Sequence, residues 1–220
     1  MSKSVTKNFP RINIIFDFDG VIINSHKIKT QAFYEIFKSY GKNYGLLAKK
    51  FHLNNTGKSR YFKFQFILNN ILKLKVTKRM IMNLDKEFDQ FVKRKIIMMS
   101  PSCHLIRFLR NNRSSANIYI STGTPQKKII SILKEKKLLK YFKKVYGSPK
   151  SKIEHIREIK RNKKKCIFIG DSFEDYKAAK YTGTSFFLKI NSENLLLRKE
   201  KNLETINSFK FLDKKIKLLN

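Results

Sequence analysis

Apolar residues along the chain follow two rhythms. Short unbroken runs occur at Asn13–Phe18, Asn117–Ser121, Lys144–Tyr146, Cys166–Ile169 and Ser185–Ile190. Runs of this length, without polar alternation, predict strands buried on both faces, the habit of parallel sheets. Between the later runs the apolar residues recur every three or four positions, as in QKKIISILKEKKLLKYF and EHIREIKRN. Strand and helix therefore alternate. The pattern predicts an α/β chain with a Rossmann-like, doubly wound parallel sheet.

One long segment departs from this alternation. From residue 25 to 99 the periodicity is helical throughout: Ala32, Phe33, Ile36, Phe37 and Tyr40; then Phe62, Phe66, Ile67 and Ile71; then Ile81, Leu84, Phe88, Phe91 and Val92. No strand is predicted there. The expected organisation is an α/β core from residues 1–24 and 100–220, interrupted by an all-helical module over 25–99. In the second helical pattern, Phe62 and Phe66 define the buried face. Arg60 and Lys63 are then solvated on the opposite face or else turned toward a ligand.

Composition narrows the classes of protein this can be. At 220 residues and 41% hydrophobic, the chain can bury a sizeable core. No stretch approaches the ~20 apolar residues of a membrane span. The opening MSKSVTKNFPRINIIFDFDG has a basic start and a short apolar run, but that run leads into two aspartates instead of a small-residue cleavage site. It reads as a first strand, and a cytoplasmic location is expected. Cys103 and Cys166 show no metal or redox spacing and are expected to be reduced packing residues. The charge is extreme, with 49 Lys plus Arg against 16 Asp plus Glu and a formal net charge of +33. Such a field attracts polyanions and phosphorylated metabolites alike. Yet the lysines are spread along the whole sequence, in a chain rich in Lys, Ile, Asn and Phe and poor in Gly and Pro, as AT-rich coding would give. No specific nucleic-acid partner and no membrane partner are expected.

The residues hardest to explain structurally fall at the predicted strand ends, where open parallel sheets bind ligands. The first strand ends in Asp17 and Asp19, before Gly20. Two carboxylates at a buried strand end repel unless a cation holds them, and a hard divalent ion such as Mg²⁺ would do so. The fourth strand ends in Asp171, with Asp175 four residues on. Ser172 and Asp175 also fit a helix capping box, so Asp175 has a structural reading beside the functional one. Ser121 ends the second strand, and Thr124 and Pro125 look like the N-cap and first position of a helix whose N-terminus would suit a phosphate. Ser151 and Glu154 form another capping-box pattern, placing Lys152 in a first helical turn. The helix dipole disfavours a cation there unless an anion is near.

DFDGVI at 17–22, YIST with Ser121, GSPKSK with Lys152 and GDSFED at 170–175, in this order, resemble the motifs of the haloacid dehalogenase-like hydrolases. The resemblance spans nearly the whole chain, and the helical insertion is similar to that family's cap. HLNNTGKSRYFKF at 52–64 is similar to the cap segment of phosphoglycolate phosphatases and sugar-phosphate enzymes such as β-phosphoglucomutase. Asn24 stands where relatives often have Asp. The resemblance implies a phosphatase acting on a small phosphorylated metabolite. Asp17 would be the nucleophile and Asp19 the proton-transfer residue. Ser121 and Lys152 would hold the phosphoryl oxygens. Mg²⁺ would be bound by Asp17, Asp171 and the backbone carbonyl of Asp19, with Asp175 behind them. Gly20, Thr122, Lys58, Ser59 and Arg60 are further candidates for substrate contact. A sugar phosphomutase and a nucleotidase are the alternatives within the family, and a basic, non-catalytic nucleic-acid binder is the alternative outside it.

Overall fold

A computed structural model describes residues 12–161, 163–191, 194, 197 and 203–217. Part of the segment read as strand and not leader, residues 1–11, lies outside them. Six strands make one parallel sheet: β1 (Asn13–Phe16), β2 (Asn117–Pro125), β3 (Lys144–Ser148), β4 (Cys166–Gly170), β5 (Ser185–Lys189) and β6 (Glu204–Ile206), in the order β3-β2-β1-β4-β5-β6. The first five match the apolar runs, with ends shifted by a few residues. The sixth has no such run.

The strand order reverses between β1 and β4, which pair in register from Asn13 with Cys166 to Phe16 with Ile169. This is the switch point at which an open α/β sheet leaves a crevice beyond its strand ends. Strand parity decides which layer each side chain joins. Ile14, Phe16, Ile118 and Ile120 pack with Leu105, Phe108 and Leu109 of α5 (Cys103–Asn112) and Ile129, Ile132 and Leu133 of α6 (Gln126–Glu135). Ile15, Tyr119 and Phe168 face the other way, onto Ile156 and Ile159 of α7 (Lys152–Lys160) and Ala178 and Ala179 of α8 (Phe173–Tyr181). Each of these two helices begins with a capping box, Ser151 with Glu154 and Ser172 with Asp175. A short C-terminal helix, α9 (Leu212–Lys217), completes the first layer.

Between β1 and α5 lie four helices and no described strand: α1 (His26–Lys38), α2 (Lys42–Asn54), α3 (Arg60–Phe66), which runs on into a π-helical turn at Ile67–Ile71, and α4 (Lys78–Met98). Phe33 of α1 sits at their centre, with ring centroids 5.4 Å from both Phe64 and Phe88 and 4.4 Å from His52. Truncating a fully buried phenylalanine to alanine costs about 3–5 kcal/mol, so Phe33 alone holds a large share of the helical layer together. Two expectations need correction. On α3 it is Arg60, Lys63 and Phe64 that are buried, while Phe62 is 43% exposed, so the inward face is rotated from the one the aromatics suggested. Cys103 is exposed at the start of α5, so only Cys166 is a packing residue; both are free thiols.

Candidate active site

The strand ends flanking the switch point bring three carboxylates together. Asp17 follows β1, Asp171 follows β4, and Asp175 lies in the first turn of α8. All three are buried, and one carboxylate oxygen from each falls within 4.8 Å of the others. Lys152, from the first turn of α7, reaches between them: its Nζ is 3.2 Å from Asp17 Oδ2 and 2.5 Å from Asp175 Oδ1. The unfavourable dipole position of this lysine is thereby answered by two anions. Burial opposes the Lys152 charge, but Asp17 and Asp175 outweigh it and hold its pKa above the usual lysine value. The second oxygen of Asp175 accepts the Ser172 N–H at 3.1 Å and the Ser172 hydroxyl. Asp175 therefore does both things weighed from the sequence: it caps α8 and it anchors Lys152.

The electrostatics of this floor are unbalanced as they stand. Burial pushes the Asp17 carboxyl well up; Lys152 draws it down, and Asp175, Asp171 and Asp19 add to the rise. Asp171 is also raised by burial, against the pull of His26, whose Nε2 lies 2.5 Å from Asp171 Oδ2. With Asp175 committed to Lys152 and Ser172, the oxygens of Asp17 and Asp171 form a close pair of hard donors, which fits a divalent ion such as Mg²⁺. Gly20, at φ +80°, makes room for them: a Cβ there would come 1.8 Å from Asp171 Oδ2. The Gly20 N–H bonds the Ile23 carbonyl at 2.7 Å and is not directed at a ligand.

Asp19 stands at the cavity edge in a different environment. Its carboxylate accepts from Ser25 Oγ and Lys29 Nζ, each at 2.5 Å, and from Thr124 Oγ1 at 3.1 Å. Burial works against its ionisation, but Lys29 and Ser25 prevail and lower its pKa. His26 and Lys29 were not anticipated. Their signal was available, because α1 begins a few residues after Asp19 and its first turn must lie over the same strand end.

The structure separates the two adjacent hydroxyls of β2. Ser121 is fully buried, and its Oγ lies 2.9 Å from His155 Nδ1, on the α7 side of the sheet. Thr122 lines the cavity together with Gly123 and Thr124. Parity explains the split, since Ser121 shares the face of Tyr119 and Thr122 that of Ile120. The β2–β3 ladder is also irregular here, stepping from Ser121 opposite Tyr146 to Pro125 opposite Ser148. The helix expected to start at Thr124 and Pro125 begins instead at Gln126, after an extended Pro125 with no side-chain cap. The bulging strand takes up the intervening residues.

Above this floor the helical insertion closes a cavity of about 220 Å³. Its roof includes Phe33, His52, Lys58, Arg60, Lys63 and Phe88. Arg60, a candidate substrate contact, is engaged by protein: its Nη1 bonds Asp89 at 2.7 Å and its Nε lies 2.8 Å from Asp85 of α4. Lys128 of α6 joins the same two carboxylates from the core, 2.6 Å from Asp85. Ser59 caps α3, accepting from the Tyr61 N–H, and does not line the cavity. Lys58 does line it, with its Nζ 4.8 Å from the Phe62 ring centroid. Among the described residues no helix is long and apolar enough to cross a membrane.

Comparison with known proteins agrees with this geometry. No curated protein sequence matches the chain. Among solved structures, β-phosphoglucomutase from Clostridium difficile superposes with a TM-score of 0.73 at 17% identity, covering 95% of this chain and 98% of that one. A protein described as a predicted phosphoglycolate phosphatase from Haemophilus somnus gives 0.70 at 14% identity, with 96% and 99% covered. A haloacid dehalogenase-like family hydrolase from Streptococcus pneumoniae gives 0.64 at 19% identity, with 94% and 98% covered. At such identities these likenesses speak for the fold. A sequence profile of the haloacid dehalogenase-like hydrolases matches residues 14–189, most of the chain, and the protein belongs to that family.

Proposed function

We propose that the protein is a Mg²⁺-dependent phosphatase of a small phosphate monoester, working through an aspartyl-phosphate. The observation that carries this reading is the placement of Asp17. It is a buried carboxylate at the switch point, with one oxygen fixed by the Phe18 N–H at 2.7 Å and the other beside Lys152, facing a cavity of metabolite size.

In the first half-reaction an Asp17 oxygen attacks phosphorus, the P–O bond to the alcohol breaks, and the alcohol leaves with a proton delivered by Asp19. In the second, Asp19 takes a proton from water as the water attacks phosphorus, and inorganic phosphate leaves with Asp17 restored. Lys29 and Ser25 favour the ionised form of Asp19, which is the form needed for the second half. Lys152 and Thr122 bind the non-bridging oxygens, Thr122 taking the part that the sequence pattern gave to Ser121. Asp17, Asp171 and the Asp19 backbone carbonyl would hold Mg²⁺, which when bound offsets the charge between nucleophile and phosphate. Asp175 keeps Lys152 in place. A dehalogenase needs no proton donor for its halide, so the presence of Asp19 favours phosphoryl chemistry.

The test is phosphate release from a panel of monoesters (phosphoglycolate, sugar phosphates, nucleotides and p-nitrophenyl phosphate) with Mg²⁺ and with chelator. Metal-dependent release that disappears in Asp17→Asn is the expected result. Isomerised sugar phosphate formed with a bisphosphate activator, with little free phosphate, would turn the reading to a mutase.

A further inference from the structure

Helix α3 turns two cations inward, and the protein supplies acid for one of them. Arg60 has Asp85 and Asp89. Lys63, one turn further on and 3% exposed, has its Nζ 3.1 Å from His52 Nδ1, and among the described residues no carboxylate lies within ion-pair distance of it. The acids of the cavity wall are already matched: Asp17 by Lys152, Asp19 by Lys29, Asp89 by Arg60 and Lys128, and Asp171 by His26. His52 cannot supply negative charge. It is buried against Phe33, and burial, reinforced by Lys63, holds its pKa well below the usual histidine value, so the neutral ring accepts a hydrogen bond from Lys63.

A buried ammonium without a counter-ion is costly, and a protein that retains one at the wall of its cavity implies an anion that arrives from outside. Burial, then Lys29, and to a lesser degree Lys152 and Lys58, lower the Lys63 amine to about 7 despite the opposing pull of Asp19. Lys58 stands nearby on the same wall and also has no carboxylate at ion-pair distance among the described residues. The cavity is therefore built with two poles. Its floor takes a phosphoryl group on Asp17, Thr122 and Lys152, and its roof offers positive charge that the protein leaves unmatched.

We infer that the substrate is a phosphate monoester whose alcohol portion carries a second anionic group, a carboxylate or another phosphate, bonded by Lys63 with Lys58 beside it. The inference rests on the phosphatase reading for the first pole and on Lys63 for the second. A charge-assisted hydrogen bond from a buried ammonium should discriminate against an uncharged partner by roughly tenfold or more.

The experiment compares esters of matched size that end in a carboxylate, a second phosphate or a neutral amide. The kcat/KM of each is measured for the wild type, Lys63→Gln and Lys63→Met. The wild type is expected to prefer one of the two anionic series over the neutral one by at least tenfold, on the scale of one charge-assisted bond. In both variants that ratio should fall toward one, mainly through KM, and Lys63→Arg should recover part of it. The series that wins names the second group. An equal preference in wild type and variants, or none in the wild type, overturns the inference. If no ester is turned over, the phosphatase reading fails and the roof is still tested: titration calorimetry with the same three ligands should show anion preference in the wild type and its loss in Lys63→Met. Equal binding across ligands and variants would sink the idea independently.

Discussion

Asp17 and Asp171 reach the cavity floor because β1 and β4 lie side by side and each ends in an aspartate. Arg60 and Lys63 reach the roof because α3 turns a charged stripe inward, against the pattern of its own aromatics. The first arrangement follows from backbone topology: given parallel strands, their carboxyl ends must converge. The second depends on a helix rotation that no local rule fixes. On the proposed reading, the floor carries the chemistry and the roof the choice of what that chemistry acts on.

The most severe way to probe the contrast is to remove the nucleophile. Asp17→Asn should reduce phosphate release on the order of 10⁴-fold or more, since removing a covalent nucleophile costs effects of this order. It should do so without unfolding the protein, because the change removes a buried like charge from beside Asp171 and Asp175. The pH dependence carries the same message. Burial raises the folded Asp17 carboxyl above its unfolded value. A carboxyl of this kind keeps its proton when the unfolded chain has released its own, so stability is lost as pH rises from about 4 and the loss is complete above the folded pKa. In chelator, the melting temperature of the wild type should therefore fall more between pH 4 and 7 than that of Asp17→Asn. Mg²⁺ should restore it by binding only the folded site. A wild type whose stability ignores both pH and Mg²⁺ would contradict the anionic floor.

Thr122→Val is a smaller cut on the same floor. Loss of one phosphoryl-binding hydroxyl is expected to lower kcat by roughly 10²-fold, the scale of a single oxyanion donor. Steady-state kinetics on any accepted ester would show it, and unchanged kcat would remove Thr122 from the site.

The roof should answer differently. Arg60→Leu leaves Asp85 and Asp89 with Lys128 as their remaining cation, and breaking a buried pair in this way should destabilise by about 2 kcal/mol, less than a fully isolated pair because Lys128 stays and Tyr61 still donates to Asp85. The preference between anionic and neutral esters should survive, since Arg60 is held by protein acids and Lys63 is not. Denaturant unfolding gives the first quantity and substrate kinetics the second. A collapse of the preference in Arg60→Leu would make Arg60 the recognition residue and upset the division of labour drawn on α3.

These contrasts mark how far the sequence could be read. Strands β1 to β5 announced themselves as apolar runs. Strand β6, Glu204–Ile206, did not, because three residues at a sheet edge need only one buried side chain, Ile206. The floor was legible through spacing, for DFD and GDSFED fix which residues stand at strand ends. The roof was legible only as one of two alternatives, because Arg60 and Lys63 read equally as a solvated face or as turned toward a ligand until the facing acids and His52 are known. Polar residues on a buried stripe break the rule that periodicity relies on, and such breaks gather at functional sites.

Ser121 shows the finest limit of that reading, and its replacement is the mildest test. Two hydroxyls end the YIST run; the expected helix start at Thr124 and Pro125 and the motif resemblance both gave the phosphate role to the first, with Thr122 named as a further substrate contact. Alternation along β2 turns them opposite ways, because Tyr119 and Ser121 share the face covered by α7 while Ile120 and Thr122 share the other, and the proposal gives the phosphate to Thr122 because Thr122 lines the cavity. The Ser121 hydroxyl is held by His155, which sits one turn along the helix that carries Lys152. Burial brings His155 down to about 4, so near neutral pH the Ser121 hydroxyl meets an uncharged ring and the bond is an ordinary one. Ser121→Ala should therefore cost about 1 kcal/mol of stability, the worth of a neutral buried hydrogen bond, and change kcat only a few-fold. If Ser121→Ala instead matched Thr122→Val in kcat with its stability intact, the hydroxyl that meets the phosphate would be the one the sequence pattern first suggested, and the strand-parity assignment would be wrong.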